Sequence, residues 1–311
     1  MEYQLNGKKI PNVMVGTWAW GSGVAGSKFI FGKTYDKQIL KDTFDAAYKA
    51  GLVFFDTAMV YGAGSSEKLL GECIKGKEVF VATKHMPNMT YTYGEAKEGL
   101  RKSLENLQLD CVDLYWVHRP KQLVKNLEEL SECFKEGKVK SIGVSNVTLE
   151  QLIEARETLK KFDLDVVAVQ NHYSLFTFKD EQPVLEYCKK HNILYCAYMV
   201  LEQGALSGHY NEKHHFKLFT TRGSQFRKKQ FKLIGALLGY IQILSQKYDV
   251  DTSQIAIAWA IAKGAIPIVG LTKPSHAKAL EKGSKIVLED IEVEELERLA
   301  VESGVGPIIY T

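Results

Sequence analysis

The feature that most constrains this chain is an alternation of short apolar runs with amphipathic stretches along most of its length. Nearly all-apolar, β-branched runs at residues 13–17, 53–56, 79–83, 112–117, 142–145, 166–170, 194–198 and 267–269 predict eight strands. Strands that are apolar throughout, with no polar alternation, belong to a parallel sheet covered on both faces. Between them, residues 36–50, 66–74, 93–107, 123–136, 149–160, 183–191 and 233–248 carry helical spacing, and a tail helix is predicted over 293–301. In the first of these, Ile39, Leu40, Phe44, Ala47 and Tyr48 recur at i, i+3 and i+4, and Gly51 stops the run. Thr148, followed three residues later by Gln151, reads as a capping box. Strict strand–helix alternation with short connections means a parallel α/β fold, either doubly wound or closed into a (β/α)8 TIM barrel.

Composition narrows the class. The chain has 311 residues, and no repeat, low-complexity tract or Pro/Ser-rich linker divides it. An α/β barrel commonly runs to about 250 residues or more as one unit, so residues 1–311 are expected to form a single domain. Hydrophobic residues at 45% and charged residues at 25% are those of a folded globular protein. The net charge of +3 is small and scattered, which argues against a nucleic-acid partner. No run approaches about 18 apolar residues, so no membrane span is expected. The N-terminal residues have no apolar core of a signal peptide. Five cysteines in no C-x-x-C pair read as buried reduced thiols, with neither a disulfide framework nor a metal site. A cytoplasmic protein is the expectation, and a homo-oligomer is compatible with it.

Two segments break the rhythm. Residues 21–35 contain Gly21, Gly23 and Gly26 in a G-x-G-x-x-G spacing after the first strand. A dinucleotide fingerprint needs its last glycine to open a helix toward the pyrophosphate. Here Ser27 to Gly32 intervene, and Gly32 interrupts any helix before Asp36, so the stretch reads as a loop beside the barrel mouth. Residues 204–232 form a long basic segment; structureless loops above about 15 residues are usually lids or binding loops.

Polar groups sit where the apolar strands end: Asp56, Lys84, His118, Ser145 with Asn146, and Gln170 with Asn171 and His172. In a parallel α/β protein such positions converge on one face, where active sites are built. Tyr61 lies five residues past Asp56. A free tyrosine, with a pKa near 10, is a poor proton donor at neutral pH, and a neighbouring ammonium such as Lys84 would lower that value. Asp56 could hold Lys84 charged, and His118 could hydrogen-bond a carbonyl oxygen.

Residues 56–71 read D-T-A-x-x-Y-G-x-G-x-S-E-x-L-L-G, and K-H, W-V-H-R-P, I-G-V-S-N and V-Q-N-H-Y-S-L follow in order. Over residues 13–280 or so the chain resembles the aldo-keto reductases. That resemblance implies a (β/α)8 barrel, a catalytic tetrad of Asp56, Tyr61, Lys84 and His118, and NADP, with NAD as the other candidate, bound without a Rossmann fold. The activity implied is an alcohol:NADP+ oxidoreductase that reduces an aldehyde or ketone, a small-molecule carbonyl substrate. By the same resemblance, Ser145, Asn146 and Gln170 would hold the nicotinamide carboxamide and Tyr198 would stack on its ring. Leu201, Gln203 and Gly204 would lie beside the pyrophosphate, Thr17 and Trp18 in the turn after the first strand, and Gly270, Thr272 and Lys273 around the adenosine phosphate. Mouth-loop residues Trp18, Trp20, Phe29, Phe31, Met86, Tyr91 and Phe176 are substrate-pocket candidates.

The chain departs from the family pattern in places. Met199 stands for a serine, and Glu202 puts an anion where the pyrophosphate would pass. His276 and Leu280 replace polar contacts to the adenosine half, for which Lys273 or Arg222, Arg227, Lys228 and Lys229 could compensate. Two further readings stay open. One is a barrel lyase using Lys84 as a Schiff-base nucleophile. The other is a non-catalytic NADP-binding regulatory subunit of the same fold.

Overall fold

In the computed structural model, which describes residues 2–23, 27, 32–217 and 220–309, eight parallel strands close into a barrel. The chain opens with an antiparallel hairpin of Tyr3–Leu5 (β1) and Lys8–Ile10 (β2), which the sequence reading left out. Its turn is Asn6-Gly7 with φ of 53° and 72°, the pair of positive angles that a two-residue hairpin needs. The barrel strands are Met14–Gly16 (β3), Phe54–Asp56 (β4), Phe80–His85 (β5), Leu114–Val117 (β6), Ile142–Ser145 (β7), Ala168–His172 (β8), Leu194–Tyr198 (β9) and Ile266–Gly270 (β10). They run in chain order, and β10 closes on β3 with Ile268 opposite Met14. Closure excludes the doubly wound alternative. All eight predicted strands are present, with ends displaced by no more than two residues.

Alternation along each strand decides what faces the barrel axis. Met14, Phe54, Ala82, Leu114, Trp116, Ala168, Leu194, Cys196 and Ile266 form one buried interior cluster, sealed at the hairpin end by Leu5 and Ile10. Gly143 makes room for it: a Cβ there would stand 2.5 Å from the Trp116 ring. The intervening residues, such as Val15, Phe55, Val81, Tyr115 and Val117, face the helices in the larger outer core.

The helical shell follows local signals. Asp36 caps Lys37–Lys49 by accepting from Gln38 N at 2.8 Å and Ile39 N at 3.1 Å. Gly51, with φ of 75°, ends the run, and Leu40, Phe44 and Ala47 bury the inner face while Ile39 stays exposed. The Thr148–Gln151 capping box forms. Three departures from expectation have physical reasons. The helix predicted from Pro183 starts at Phe178, because the turn at Ser174–Thr177 already supplies acceptors for its first amides. Thr252–Ala262 is apolar on every side and buried, so it has no period to read. Pro274–Gly283, with proline in its first turn, packs on Lys37–Lys49.

The segment 204–232 is not structureless. It contains short helices at Thr221–Gln225 and Lys228–Leu233. Phe216, Phe226 and Phe231 form a satellite apolar cluster with Ala205, Ile234 and Ile308, with Arg222 half-buried over the Phe216 ring and Arg227, Lys228, Lys229 and Lys232 exposed. The five cysteines are free thiols, with Cys188 pushed up to about 12 by burial. Among the described residues no helix is long and apolar enough to cross a membrane.

Candidate active site

The inward-facing parity of the strands continues past the apolar layer into polar residues at their C-terminal ends. After Phe54 comes Asp56, after Ala82 comes Lys84, and after Trp116 comes His118. Ser145 follows at the end of β7, Gln170 after Ala168 in β8, and Tyr198 at the end of β9. One periodicity therefore delivers every one of these groups to the same mouth.

Lys84 is wholly buried and Asp56 nearly so. Lys84 Nζ donates to Asp56 Oδ2, to Thr57 O at 2.8 Å and to Tyr61 OH at 3.4 Å. The other Asp56 oxygen accepts from Gln170 Nε2 at 3.0 Å. Burial alone would pull the Lys84 pKa down, but Asp56 and Tyr61 outweigh it and the net direction is upward. All three ammonium protons are spoken for, which counts against a Schiff-base role for Lys84.

Tyr61 comes from the loop after β4 and stacks on Trp18, with centroids 5.8 Å apart. The His118 ring meets it edge-on at 6.2 Å. Burial raises the Tyr61 pKa and the Lys84 charge opposes this, so the net shift is upward. This corrects the expectation that Lys84 would bring the phenol below its ordinary value. His118 is driven well below the usual imidazole range by burial, then by the charges of Lys84 and Arg119. The tetrad is thus an ammonium, a carboxylate, a neutral phenol and a neutral imidazole.

Glycines hold the Tyr61 loop. Gly62 has φ of 58°, and a Cβ there would lie 2.4 Å from Ser65 Oγ and 2.6 Å from the Ser22 backbone. Gly21 packs against the same turn, where a Cβ would stand 2.8 Å from backbone atoms of Tyr61 and Gly62. Close backbone approach thus accounts for one glycine of the discarded fingerprint. We expect Gly62→Ala to cost at least about 1–2 kcal/mol in denaturant unfolding, because an alanine is forced into the left-handed region. An unchanged midpoint would show that the loop relaxes.

The remaining expected residues divide. Asn146 Nδ2 donates to His118 O at 2.9 Å and to Ser145 Oγ at 3.0 Å, and its Oδ1 accepts from Tyr198 OH at 2.6 Å. Ser145, Asn146, Gln170 and Tyr198 are therefore one connected group with the tetrad. Leu201, Gln203 and Gly204 form the turn after β9, with Arg222 Nη1 donating to Gln203 O at 2.7 Å. Gly270, Thr272 and Lys273 lead into the N-terminus of Pro274–Gly283, where Thr272 N donates to His276 Nδ1 at 3.4 Å. Leu280 is buried in the core.

Others sit differently from expectation. Thr17 is fully buried in a hydroxyl knot, 2.9 Å from Ser66 Oγ and 3.1 Å from Asp56 O, which braces the tetrad from beneath. Trp20 is 3% exposed, packs on Phe55 and donates from Nε1 to Leu271 O at 2.7 Å, so it pins the core and does not line the mouth. Tyr91 gives its hydroxyl to Glu129, whose carboxylate also accepts from Gly94 N and Ala96 N. It anchors the loop carrying Met86, which is half-buried. Phe176 stacks on Phe226 at the satellite cluster. Phe29 and Phe31 lie outside the described residues. Glu202 points inward: it is wholly buried and bonded to His172, Ser174 and Ile308 N. The sequence reading missed Ser66 and that inward turn, since their partners lie far off in the chain.

The aldo/keto reductase family model matches residues 12–301. The chain belongs to that family. It is 31% identical over 296 residues to aldo-keto reductase YhdN of Bacillus subtilis (strain 168), covering 89% of this chain and 86% of that one. It is also 31% identical over 283 residues to the chloroplastic pyridoxal reductase of Arabidopsis thaliana, covering 85% and 76%. The solved glycerol dehydrogenase AKR11B4 from Gluconobacter oxydans shares the fold with a TM-score of 0.85, covering 100% of this chain and 98% of that one at 24% identity. Membership places this aldo/keto reductase among the oxidoreductases.

Proposed function

We propose that this aldo/keto reductase reduces an aldehyde or ketone to the alcohol, with NADP(H) as the cofactor and NAD(H) as the alternative. The observation that carries the reading is the buried Asp56–Lys84 pair, whose ammonium reaches the Tyr61 hydroxyl at 3.4 Å while His118 faces the same ring. The name of the Arabidopsis relative, pyridoxal reductase, supports reduction as the direction.

The side chains at the mouth fit a nicotinamide. The amides of Asn146 and Gln170 and the Ser145 hydroxyl offer donors and acceptors to a carboxamide, and Tyr198 offers a flat ring beside them. The turn of Leu201, Gln203 and Gly204, and the helix N-terminus after Lys273, suit phosphates. The reduced nicotinamide, when bound, supplies the hydride. The protein's share is the oxygen: a neutral His118 ring N–H orients the carbonyl, and Tyr61 gives it the proton. Lys84 then faces the phenolate that remains, and Asp56 keeps Lys84 charged.

The deciding experiment is a panel of aldehydes, ketones and quinones run with NADPH and NADH in parallel, read as loss of cofactor absorbance. Tight cofactor binding with no turnover on any member would favour a non-catalytic binder instead. The pH profile is a second check. Tyr61 shifted upward stays a phenol through neutrality, and His118 shifted downward stays neutral. We expect kcat/KM for reduction to be flat from roughly pH 7 to 9, with any acid limb below the ordinary histidine value of about 6.5. The depressed His118 pKa also adds stability above about pH 6.5 that is lost as pH falls, because the unfolded chain takes up that proton first. An inflection near pH 7 that disappears in His118→Asn would overturn the assignment.

A further inference from the structure

We propose that Glu202 is a positioning residue that latches the C-terminal tail onto the turn after β9, so that the docked tail sets affinity for the cofactor. This rests on the nicotinamide reading above.

The turn is strained. Met199, Glu202 and Gln203 hold φ of 61°, 46° and 52°, the left-handed region that L side chains avoid. Such a backbone persists only where its surroundings over-determine it. The Glu202 carboxylate does much of that. It is wholly buried, with no lysine or arginine paired to it among the described residues, and is satisfied by hydrogen bonds: Ser174 Oγ and His172 Nε2 (2.7 Å) on Oε1, and Ile308 N at 2.9 Å on Oε2. Arg222 holds the next carbonyl, that of Gln203.

The tail is held at two further points. Ile308 is buried with Phe216, Phe226 and Phe231, and Ile309 exchanges both backbone hydrogen bonds with the Gln225 amide at 2.7 Å each. On the other side of Glu202, the His172 ring lies 5.4 Å from that of Tyr198, whose hydroxyl bonds Asn146, which in turn bonds the His118 carbonyl. The tail is therefore joined to the candidate cofactor residues through one buried carboxylate, by an unbroken set of contacts. No motif marks this, since Glu202 departs from the family pattern at a position otherwise read as phosphate-facing.

The test compares the wild type, Glu202→Gln, Ser174→Ala, a chain lacking residues 305–311, and that deletion combined with Glu202→Gln. Dissociation constants for NADPH and NADH are read from protein fluorescence, alongside kcat and KM and protease release of the tail. We expect Glu202→Gln and the deletion each to weaken cofactor binding by about ten-fold with kcat within about two-fold, and the double variant to be no worse than either alone. Ser174→Ala moves the same way by less, and stands in if Glu202→Gln does not fold. A merely structural glutamate would lower stability and leave the dissociation constants where they are, which overturns the proposal; so do additive losses. If the wild type binds neither nucleotide, the reductase reading fails and the affinity role falls with it. The latch is then judged by the protease, and equal tail release from wild type and Glu202→Gln overturns it.

Discussion

Replacing Tyr61 by phenylalanine is expected to lower kcat for carbonyl reduction by roughly 10²–10⁴-fold, the usual worth of a positioned general acid. The substitution removes one oxygen and keeps the ring, so the stacking on Trp18 and the edge contact with His118 survive. Cofactor affinity should therefore change little, because the contact that the hydroxyl gives up is the one with Lys84. Steady-state rates beside a cofactor titration separate the two quantities. Full activity in Tyr61→Phe would remove the proton-donor role and send the search to His118.

The second large effect is on stability. Lys84→Met should destabilise the fold by about 3–5 kcal/mol, since it strands the buried Asp56 carboxylate with Gln170 as its remaining side-chain donor. Activity should be lost with it. The diagnostic is the double variant Lys84→Met/Asp56→Asn, in which no charge is left in the barrel. It should recover most of the stability and none of the catalysis. A single-variant loss below about 1 kcal/mol in urea unfolding would mean that water reaches Asp56.

Much of this was legible in the sequence, for reasons that also explain the omissions. Strands covered on both faces must be apolar, so the eight barrel strands announced themselves, and the polar residues that close them placed Asp56, Lys84 and His118 on one face. The β1–β2 hairpin was missed although Asn6-Gly7 is a strong turn signal, because three-residue strands are too short for alternation to show. Thr252–Ala262 was missed because burial on all sides erases its period. At the site, the sign of the Tyr61 shift depended on how far burial outweighs the Lys84 charge, which spacing does not report. Trp20 and Tyr91 look like rim aromatics until their partners, Leu271 O and Glu129, are known. Glu202 is the sharpest case. As a residue type it reads as an anion beside a phosphate path, and only the fold brings Ser174 and Ile308 to it.

The pairing of β10 with β3 has a consequence for how the protein is made. The ring of strands joins Met14 to Ile268, so neither edge strand has its partner until the chain has left the ribosome past residue 270. Until then β3 presents unpaired amides and carbonyls, as does whichever strand was made last, and these are templates for pairing with another chain. Closure is a long-range step and a slow one compared with helix formation. A premature stop before residue 266 would leave the nascent ring permanently open, and such a product should aggregate in the cell and not accumulate as a soluble fragment.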